Sequence, residues 1–243
     1  KMKKIGKPIA VLMTLAMILS LESGVIMPRK VQAADHRLKN PVTDSNGVTT
    51  WDCVYFGNYW QEDTNGDGVA DENDEKQPIK WRVLSVDGDD AFLLADQNLD
   101  AKVYNTSYTD VTWETCTLRS WLNGYGASAN VENTDYSSDN FIDKAYTETE
   151  QNAILRTDVI NENNPYTGTE GGNDTADLVY LLSFAETSNA SYGFNSMYRT
   201  DSKIRVSTNT AYTAGKSRMN SVGTADQWWL RSPGFDSAIA SGV

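Results

Sequence analysis

Alternation of apolar and polar residues is clearest between residues 79 and 95 of the chain. Ile79, Trp81 and Val83 recur at every second position, which predicts a strand with one buried face. The segment 87–90 (Asp-Gly-Asp-Asp) supplies turn residues, and a second apolar run follows over 91–95. Two such runs joined by a short glycine-containing turn predict an antiparallel hairpin.

Shorter apolar segments, separated by turn residues, predict the remaining elements. Strands are expected over 51–56, 178–182 and 228–232, and helices over 112–124 and 141–155. Gly57 is expected to end the first of these strands. Leu118, Trp121 and Leu122 share one helical face, and Gly124 suits the C-cap of that helix. Short helices among hairpin-like strands predict a single α+β domain with a mostly antiparallel sheet.

The first 33 residues have the organisation of a secretion signal. Four lysines precede an apolar run from Ile9 to Leu21, and Val31-Gln32-Ala33 offers small residues for cleavage. An uncleaved membrane anchor is the alternative, although the run is short for a span and Glu22 closes it. We therefore expect a secreted or cell-surface protein with no stable membrane span after signal cleavage. The expected organisation is signal peptide 1–33, linker 34–50 and domain 51–243.

Charge and histidine content exclude several classes of function. The formal net charge is −12; without residues 1–33 the chain keeps 15 basic and 32 acidic residues, a net charge of −17. Phosphate backbones would be repelled, which argues against nucleic acid as a partner. The sole histidine, His36, lies in the expected linker. The domain therefore lacks the imidazole of a Ser-His-Asp or Cys-His site and of a histidine-ligated zinc centre.

The segment 63–74 (D-T-N-G-D-G-V-A-D-E-N-D) has the spacing of a calcium-binding loop. Gly68 occupies the position that needs a sharp turn. The predicted ligands are the side chains of Asp63, Asn65, Asp67, Asp71 and Asp74 and the backbone carbonyl of Val69. Asp74 replaces the usual Glu, and Pro78 prevents an exiting helix. We therefore expect calcium as a structural cofactor between two strands; a solvated acidic turn is the alternative.

Cys53 and Cys116 are the two cysteines of the chain. An even number of cysteines in an exported protein favours a disulfide between them. Two free thiols are the alternative, because spacing alone does not fix the geometry of a bridge.

Carboxylates offer weak candidates for catalysis. Glu114, Glu150 and Glu186 could include the acid/base pair of a glycan hydrolase. Capping boxes with Thr147 and Ser183 explain Glu150 and Glu186 better, because the spacing is three residues in both cases. No catalytic residue is assigned, and the sequence favours a protein that is not an enzyme.

Five motifs together carry a resemblance to a known family. They are F-G-N-Y-W-Q (56–61), P-I-K-W-R-V-L (78–84), W-E-T-C-T-L-R-S-W-L-N-G (113–124), L-V-Y-L-L-S (178–183) and W-W-L-R-S-P-G (228–234). Over about residues 51–243 the chain is similar to a secreted-domain family of Gram-positive bacteria that is described only as a domain of unknown function. That family resembles C-type-lectin-like and formylglycine-generating-enzyme-like domains in architecture. Similar members continue into a further strand, so the resemblance implies that the fold is truncated after Val243.

The resemblance also implies a ligand site near the last motif. Trp228 and Trp229 could stack on sugars, and Arg231 could recognise carboxylates. Packing of these residues in the core is the alternative. The leading hypothesis is a secreted, calcium-stabilised module that binds glycan or protein ligands. A structural module of a larger surface protein and a carboxylate-dependent glycan hydrolase are the other two.

Overall fold

The computed structural model describes most of the chain. The described residues are 11–13, 16–20, 37–195, 204–217, 222–236 and 240–242. The expected cleavage site and His36 lie outside them. The strands are β1 (Val11–Met13), β2 (Ala16–Ser20), β3 (Val42–Thr43), β4 (Thr49–Thr50), β5 (Cys53–Tyr59), β6 (Gln77–Asp87), β7 (Asp90–Ala95), β8 (Asp100–Lys102), β9 (Thr157–Val159), β10 (Thr175–Asp177), β11 (Ser207–Thr208), β12 (Ala225–Asp226), β13 (Trp229–Pro233) and β14 (Ala240–Gly242). The α-helices are α1 (Thr117–Asn123), α2 (Phe141–Ala145), α3 (Glu148–Gln151) and α4 (Ala211–Ser217), and the 3-10 helices are Trp113–Thr115, Ala127–Ala129, Glu186–Ser188 and Ala190–Tyr192.

A four-stranded antiparallel sheet, in the order β2-β7-β6-β5, organises the domain. Its centre is the predicted hairpin of β6 and β7, which closes with Asp87 opposite Asp90. Ile79, Trp81 and Val83 are fully buried, as their alternation predicted. With short helices around this sheet and small two-stranded sheets beside it, the molecule is a single α+β domain, as expected.

β5 continues past Gly57, where the sequence predicted its end. Its pairing with β6 shifts register between Tyr55 and Asn58, so Gly57 lies in a bulge. The glycine has φ of 68°, and a Cβ atom there would lie 2.4 Å from the ring of Tyr146. The position therefore requires glycine because of its conformation and because of the packed tyrosine.

Residues 113–124 form a 3-10 turn and α1, which confirms the predicted helix with one interruption. Cys116 has extended dihedral angles between the two and acts as the N-cap of α1. Gly124 is the predicted left-handed C-cap, and its N–H donates to the carbonyl of Ser120. Leu118, Trp121 and Leu122 all face the core, as predicted.

The single helix expected over 141–155 is two shorter helices, α2 and α3. Tyr146 is extended between them, because its ring packs on Phe56 and Phe141 at centroid distances of 5.2 and 6.0 Å. Thr147 then begins α3 with the predicted capping box to Glu150. Burial of one aromatic ring thus overrides the helical pattern.

Residues 178–182 do not form the predicted strand, because side chains satisfy their backbone groups. The Oδ1 of Asn123 accepts from the amides of Leu178 and Val179 at 2.9 and 3.0 Å. Arg231 donates through Nη1 to the carbonyl of Leu181 at 2.8 Å. Only an isolated bridge between Tyr180 and Ala16 resembles strand pairing. Residues 179–182 are buried, and the backbone partners of the segment come from α1, β2 and β13.

The described part of the expected leader belongs to the fold, whereas we expected residues 1–33 to stand outside it. β1 pairs with β8, and β2 is an outer strand of the main sheet beside β7. Ala16 and Met17 are fully buried. The periodicity of a short apolar run does not distinguish a buried strand from the apolar part of a signal peptide, and this run is compatible with both.

Short strands are present in the expected linker and near the expected truncation after Val243. Within residues 34–50, β3 and β4 form a small hairpin, and the hydroxyl of Thr49 donates to the carbonyl of Gly193 at 3.1 Å. β13 pairs with β14, so the strand at 229–233 has a neighbour. Among the described residues there is no helix with the length and apolar character needed to cross a membrane.

Candidate functional site: a cavity at Arg231

A cavity of about 260 Å³ lies beside the main sheet and is the candidate site. We call it the Arg231 cavity. Its wall contains residues of β2, β6, β7, β9 and β13 and of the irregular segments between them: Ile18, Ser85, Phe92, Thr157, Asp158, Val159, Ile160, Tyr180, Glu186, Tyr192 and Arg231. The lining combines aromatic rings with one cation and two carboxylates, a composition typical of ligand sites.

Arg231 is held in the wall by hydrogen bonds from both terminal nitrogens. Nη1 donates to the carbonyl of Leu181 and to the carboxylate of Glu186, and Nη2 donates to the carbonyl of Ile160 at 3.2 Å. The side chain is 5% exposed. Its Nε is buried and has no hydrogen-bond partner among the described residues. A buried donor without a partner is costly, and this nitrogen has almost no accessible surface, so the guanidinium is a fixed part of the wall and its Nε is not a ligand contact.

Three aromatic rings form the apolar part of the wall. Phe92 stacks on Tyr180 with ring centroids 5.9 Å apart and meets Tyr192 edge-on at 5.3 Å. The guanidinium carbon of Arg231 lies 5.7 Å from the centroid of Tyr180. Burial raises the pKa of Tyr180 and of Tyr192, and the nearby Glu186 carboxylate raises both further. Both phenols are therefore neutral at physiological pH and act as hydrogen-bonding aromatic surfaces, not as bases.

Glu186 serves the fold as well as the cavity. Its carboxylate accepts from the amide of Ser183 at 2.7 Å, and the hydroxyl of Ser183 accepts from the amide of Glu186 at 3.2 Å. This reciprocal pair is the predicted capping box, here at the start of a 3-10 turn. The same carboxylate pairs with Arg231. Glu186 is therefore a fixed acceptor, whereas Asp158 is exposed at the rim.

Of the three ligand residues expected near the last motif, one lines the cavity. Trp228 is 1% exposed, and its indole N–H donates to the carbonyl of Arg205 at 3.0 Å. The indole N–H of Trp229 donates to the carbonyl of Lys102 at 3.0 Å, and its ring meets Tyr104 edge-on. These two tryptophans pack as the alternative foresaw, and neither belongs to the cavity wall. Arg231 does line the cavity, and its role in ligand binding stays a prediction.

The other carboxylates named from sequence do not gather into a pair. Glu150 caps α3 as expected. Glu114, in the 3-10 turn before α1, accepts from the side-chain amide of Asn173 at 3.0 Å and does not line the cavity. Arg119 and Trp121 are structural: Arg119 pairs with the buried Asp177 at 2.8 Å, and Trp121 is buried.

The segment 63–74 connects β5 to β6, the position that the sequence predicted. Its side-chain oxygens fold back on the loop: the carboxylate of Asp63 accepts from the amides of Gly66 and Gly68, and that of Asp74 accepts from the amides of residues 64, 65 and 71. These bonds hold the pKa of Asp74 below its usual value. Asn65 and Asp67 accept from amides two residues ahead.

Oδ1 of Asp74 accepts three hydrogen bonds and is saturated, whereas the oxygens of Asp63, Asn65 and Asp67 keep lone pairs that suit a hard cation. Among the described residues, however, no three Asp, Glu, His or Cys side chains come together in a group that could hold a metal ion. Calcium at Asp63, Asn65, Asp67, Val69, Asp71 and Asp74 therefore stays a prediction.

Cys53 and Cys116 are both free thiols, so the expected disulfide is absent from the structure. Cys53 is exposed on β5, whereas Cys116 is fully buried at the start of α1. The Sγ of Cys116 accepts from the amide of Arg119 at 3.5 Å, which is the N-cap bond of the helix. Burial raises the pKa of this thiol to about 12. The helix cap explains the buried cysteine without a bridge.

Residues 88–242 match the family model described as a domain of unknown function, DUF6273. The chain belongs to this family. The match begins in the turn between β6 and β7, later than the extent of 51–243 that the motifs suggested. No curated protein and no solved structure matches the chain, so the expected C-type-lectin-like architecture stays a prediction.

The DUF6273 match separates the two candidate sites. The segment 63–74 precedes the matched residues, whereas nine of the eleven residues that line the Arg231 cavity fall within them; Ile18 and Ser85 are the other two. The cavity is thus mainly a feature of the DUF6273 region. Sequence reasoning missed Phe92, Tyr180 and Tyr192 because apolar periodicity marks them only as core. The spacing of Glu186 from Ser183 identified its cap, but not its bond to an arginine 45 residues away.

Proposed function

We propose that this domain is an extracellular binding module and that the Arg231 cavity holds a neutral sugar of a glycan. The observation that carries the proposal is a cavity wall that combines three aromatic rings and two carboxylates with a guanidinium held in place by its hydrogen bonds. A sugar hydroxyl can donate to the carboxylate of Glu186 or of Asp158, both of which line the cavity. Aromatic faces such as that of Tyr192 suit the apolar face of a sugar ring.

The size and charge of the cavity limit the classes of ligand that it can bind. A volume of about 260 Å³ lies just below the roughly 300–1,000 Å³ of pockets for drug-sized molecules, which favours a single ring over a long chain. Glu186 already neutralises Arg231, and Asp158 adds a negative charge. A carboxylated ligand would have to displace a paired carboxylate, so a neutral sugar is the better fit.

Glycan-array screening of the secreted protein, followed by calorimetric titration with the best ligand, tests this proposal. Tyr192→Ala and Asp158→Asn should each weaken binding at least about tenfold, the effect of losing one good contact. Tyr108→Ala is the matched control, because Tyr108 is 69% exposed and does not line the cavity. Absence of any glycan ligand, or equal affinity in all three variants, would contradict the proposal. Hydrolysis of the ligand that Glu186→Gln abolishes would favour the glycan hydrolase instead.

We also propose that calcium binds the loop at 63–74 and stiffens the connection between β5 and β6. The loop is tied to the rest of the domain through Glu72, whose carboxylate accepts from the hydroxyl of Tyr212 at 3.1 Å and from Lys144 at 3.3 Å. An ion held here would therefore order the loop against α2 and α4 rather than move a switch. Calorimetric titration of calcium into the chelator-treated protein should show binding at about 0.1–1 mM, the range of extracellular modules. No heat of binding at millimolar calcium would refute it.

A further inference from the structure

The dipeptide Asn-Gly occurs three times in the chain, at 46–47, 65–66 and 123–124. Asparagine before glycine is chemically labile, because the glycine nitrogen can attack the side-chain carbonyl carbon of the asparagine and no side chain on the glycine hinders it. The attack requires that this nitrogen is released from its hydrogen bond and that the two groups are free to meet. The environments of the three copies in the fold therefore decide which of them can react.

Asn123 is the best protected of the three. Its side chain is buried, and its Nδ2 donates to the carbonyls of Arg119 and Val179 at 3.1 and 2.9 Å. Its Oδ1 accepts from the amides of Leu178 and Val179. The N–H of Gly124 is used in the C-cap of α1. Attack at this position would require the core around α1 to open, so the site should be inert while the domain is folded.

Asn65 is exposed, but hydrogen bonds within the loop at 63–74 restrain it. The amide of Gly66 donates to the carboxylate of Asp63 at 2.7 Å, and a negative charge at this distance disfavours loss of the amide proton. The Oδ1 of Asn65 accepts from the amide of Asp67 at 2.9 Å, and its own amide donates to Asp74 at 3.0 Å. Several bonds would have to break together, so reaction here should be slow.

Asn46 lies in the exposed turn of the hairpin formed by β3 and β4, where residues 42–48 are all exposed. The amide of Gly47 donates to a neutral acceptor, the carbonyl of Asp44, at 3.0 Å. Each strand of this hairpin has two residues, and two-stranded hairpins are at best marginally stable. Local opening therefore releases the glycine nitrogen beside the asparagine side chain at little cost.

We propose that Asn46 and Gly47 form a site of spontaneous chemical modification, at which Asn46 is converted into aspartate and isoaspartate. The Gly47 nitrogen loses its proton to water and forms a bond with Cγ of Asn46, while the bond from Cγ to Nδ2 breaks and Nδ2 leaves as ammonia. Water then opens the cyclic imide. Opening at the side-chain carbonyl gives aspartate, and opening at the backbone carbonyl gives isoaspartate with an additional methylene in the main chain.

The modification should loosen the hairpin. The hydroxyl of Thr49 is hydrogen-bonded to that of Thr43 at 2.9 Å and donates to the carbonyl of Gly193 at 3.1 Å. Isoaspartate would lengthen the turn and place a second negative charge near Asp44. Hydrogen exchange at residues 43–50 should therefore become at least about tenfold faster in the isoaspartate form. Reactivity at Asn46 is independent of both sugar and calcium binding.

Incubation of the folded full-length chain at pH 8, followed by peptide mapping by mass spectrometry, measures conversion of amide to carboxylate at each asparagine. Asn46 should react within about tenfold of its rate in the urea-denatured chain, which is the effect of one hydrogen bond. Asn65 should react at least about tenfold more slowly than Asn46. Asn123 should react at least about 1,000-fold more slowly than in the denatured chain, which is the internal control.

A second variant tests the hydrogen-bond explanation. Asp63→Ala removes the acceptor of the Gly66 amide, so it should speed the conversion of Asn65 and leave that of Asn46 unchanged. An Asn46 that stays intact in the folded chain, while all three copies react in the denatured chain, would overturn the proposal. Equal rates at Asn46 and Asn65 in the folded chain, or a rate at Asn65 that Asp63→Ala does not change, would refute the control of this reaction by the fold.

Discussion

Removal of the buried carboxylate of Asp177 should be among the most damaging single changes in the DUF6273 region. Asp177 is fully buried at the end of β10 and accepts four hydrogen bonds. They come from the indole of Trp113 at 3.0 Å, Nε of Arg119 at 2.8 Å, the hydroxyl of Tyr125 at 3.0 Å and the hydroxyl of Thr175 at 2.7 Å. One carboxylate thus joins α1 and the turn before it to β10.

The loss of folding free energy follows from the buried charge that the substitution leaves without a partner. In Asp177→Ala the guanidinium of Arg119, whose side chain is 12% exposed, loses its counter-charge. Breaking a buried ion pair by removing one partner costs about 3–5 kcal/mol. For a domain of this size, each kcal/mol lowers the melting temperature by about 2–4 °C, so the expected fall is about 6–20 °C.

Urea denaturation monitored by tryptophan fluorescence measures the free energy of unfolding directly. Asp110→Ala is the matched control, because Asp110 is exposed, and it should change that free energy by less than about 0.5 kcal/mol. Adding Arg119→Met to Asp177→Ala should recover part of the loss, since the unpaired charge is then gone. A loss below about 1 kcal/mol, or the same loss with and without Arg119, would refute this account of the buried pair.

Three further predictions concern the loop, the buried thiol and the bulge. Chelation should lower the melting temperature of the wild type but not of Asp63→Ala, with Asp89→Ala as the control; calcium at a hundredfold excess over its dissociation constant should add about 2.7 kcal/mol. The Cys116 thiol has a raised pKa of about 12, so its stabilising effect is complete below about pH 9 and is lost as the pH rises toward 12. Urea titrations at pH 8 and 11 should therefore show a smaller alkaline loss in Cys116→Ala, and equal losses would count against this. Gly57→Ala should cost about 2–3 kcal/mol in the same assay, because it meets a tyrosine ring, and Gly47→Ala should cost less, since its surroundings are open.

Local patterns predicted the elements whose partners are near in sequence. The hairpin of β6 and β7 followed from alternation around Gly88, and α1 followed from three apolar positions with Gly124 as its cap. Both capping boxes were visible as a spacing of three residues. In each case the residues that determine the structure lie within about twenty positions of one another.

Contacts between residues that are distant in the sequence determine the structure where the prediction was wrong or incomplete. Residues 178–182 have the composition of a strand. The side chains of Asn123 and Arg231, which lie 55 and 50 positions away in the sequence, instead form hydrogen bonds with the backbone of this segment. The Arg231 cavity combines residues of β7, β9 and β13 with turns between them, and no local spacing links these segments. The ring of Tyr146 likewise turned an expected strand end into a bulge and divided an expected helix in two.

The clamping of residues 178–182 by Asn123 and Arg231 also sets the order in which the domain can fold. The carbonyls of Leu181 and Leu182 find their partners only when β13 is present, although the segment is synthesised about fifty residues earlier. Until then an apolar stretch with unsatisfied backbone groups lies next to a nearly complete sheet. Folding is therefore expected to finish only after the C-terminal quarter has been synthesised, and its rate should be limited by these distant pairings.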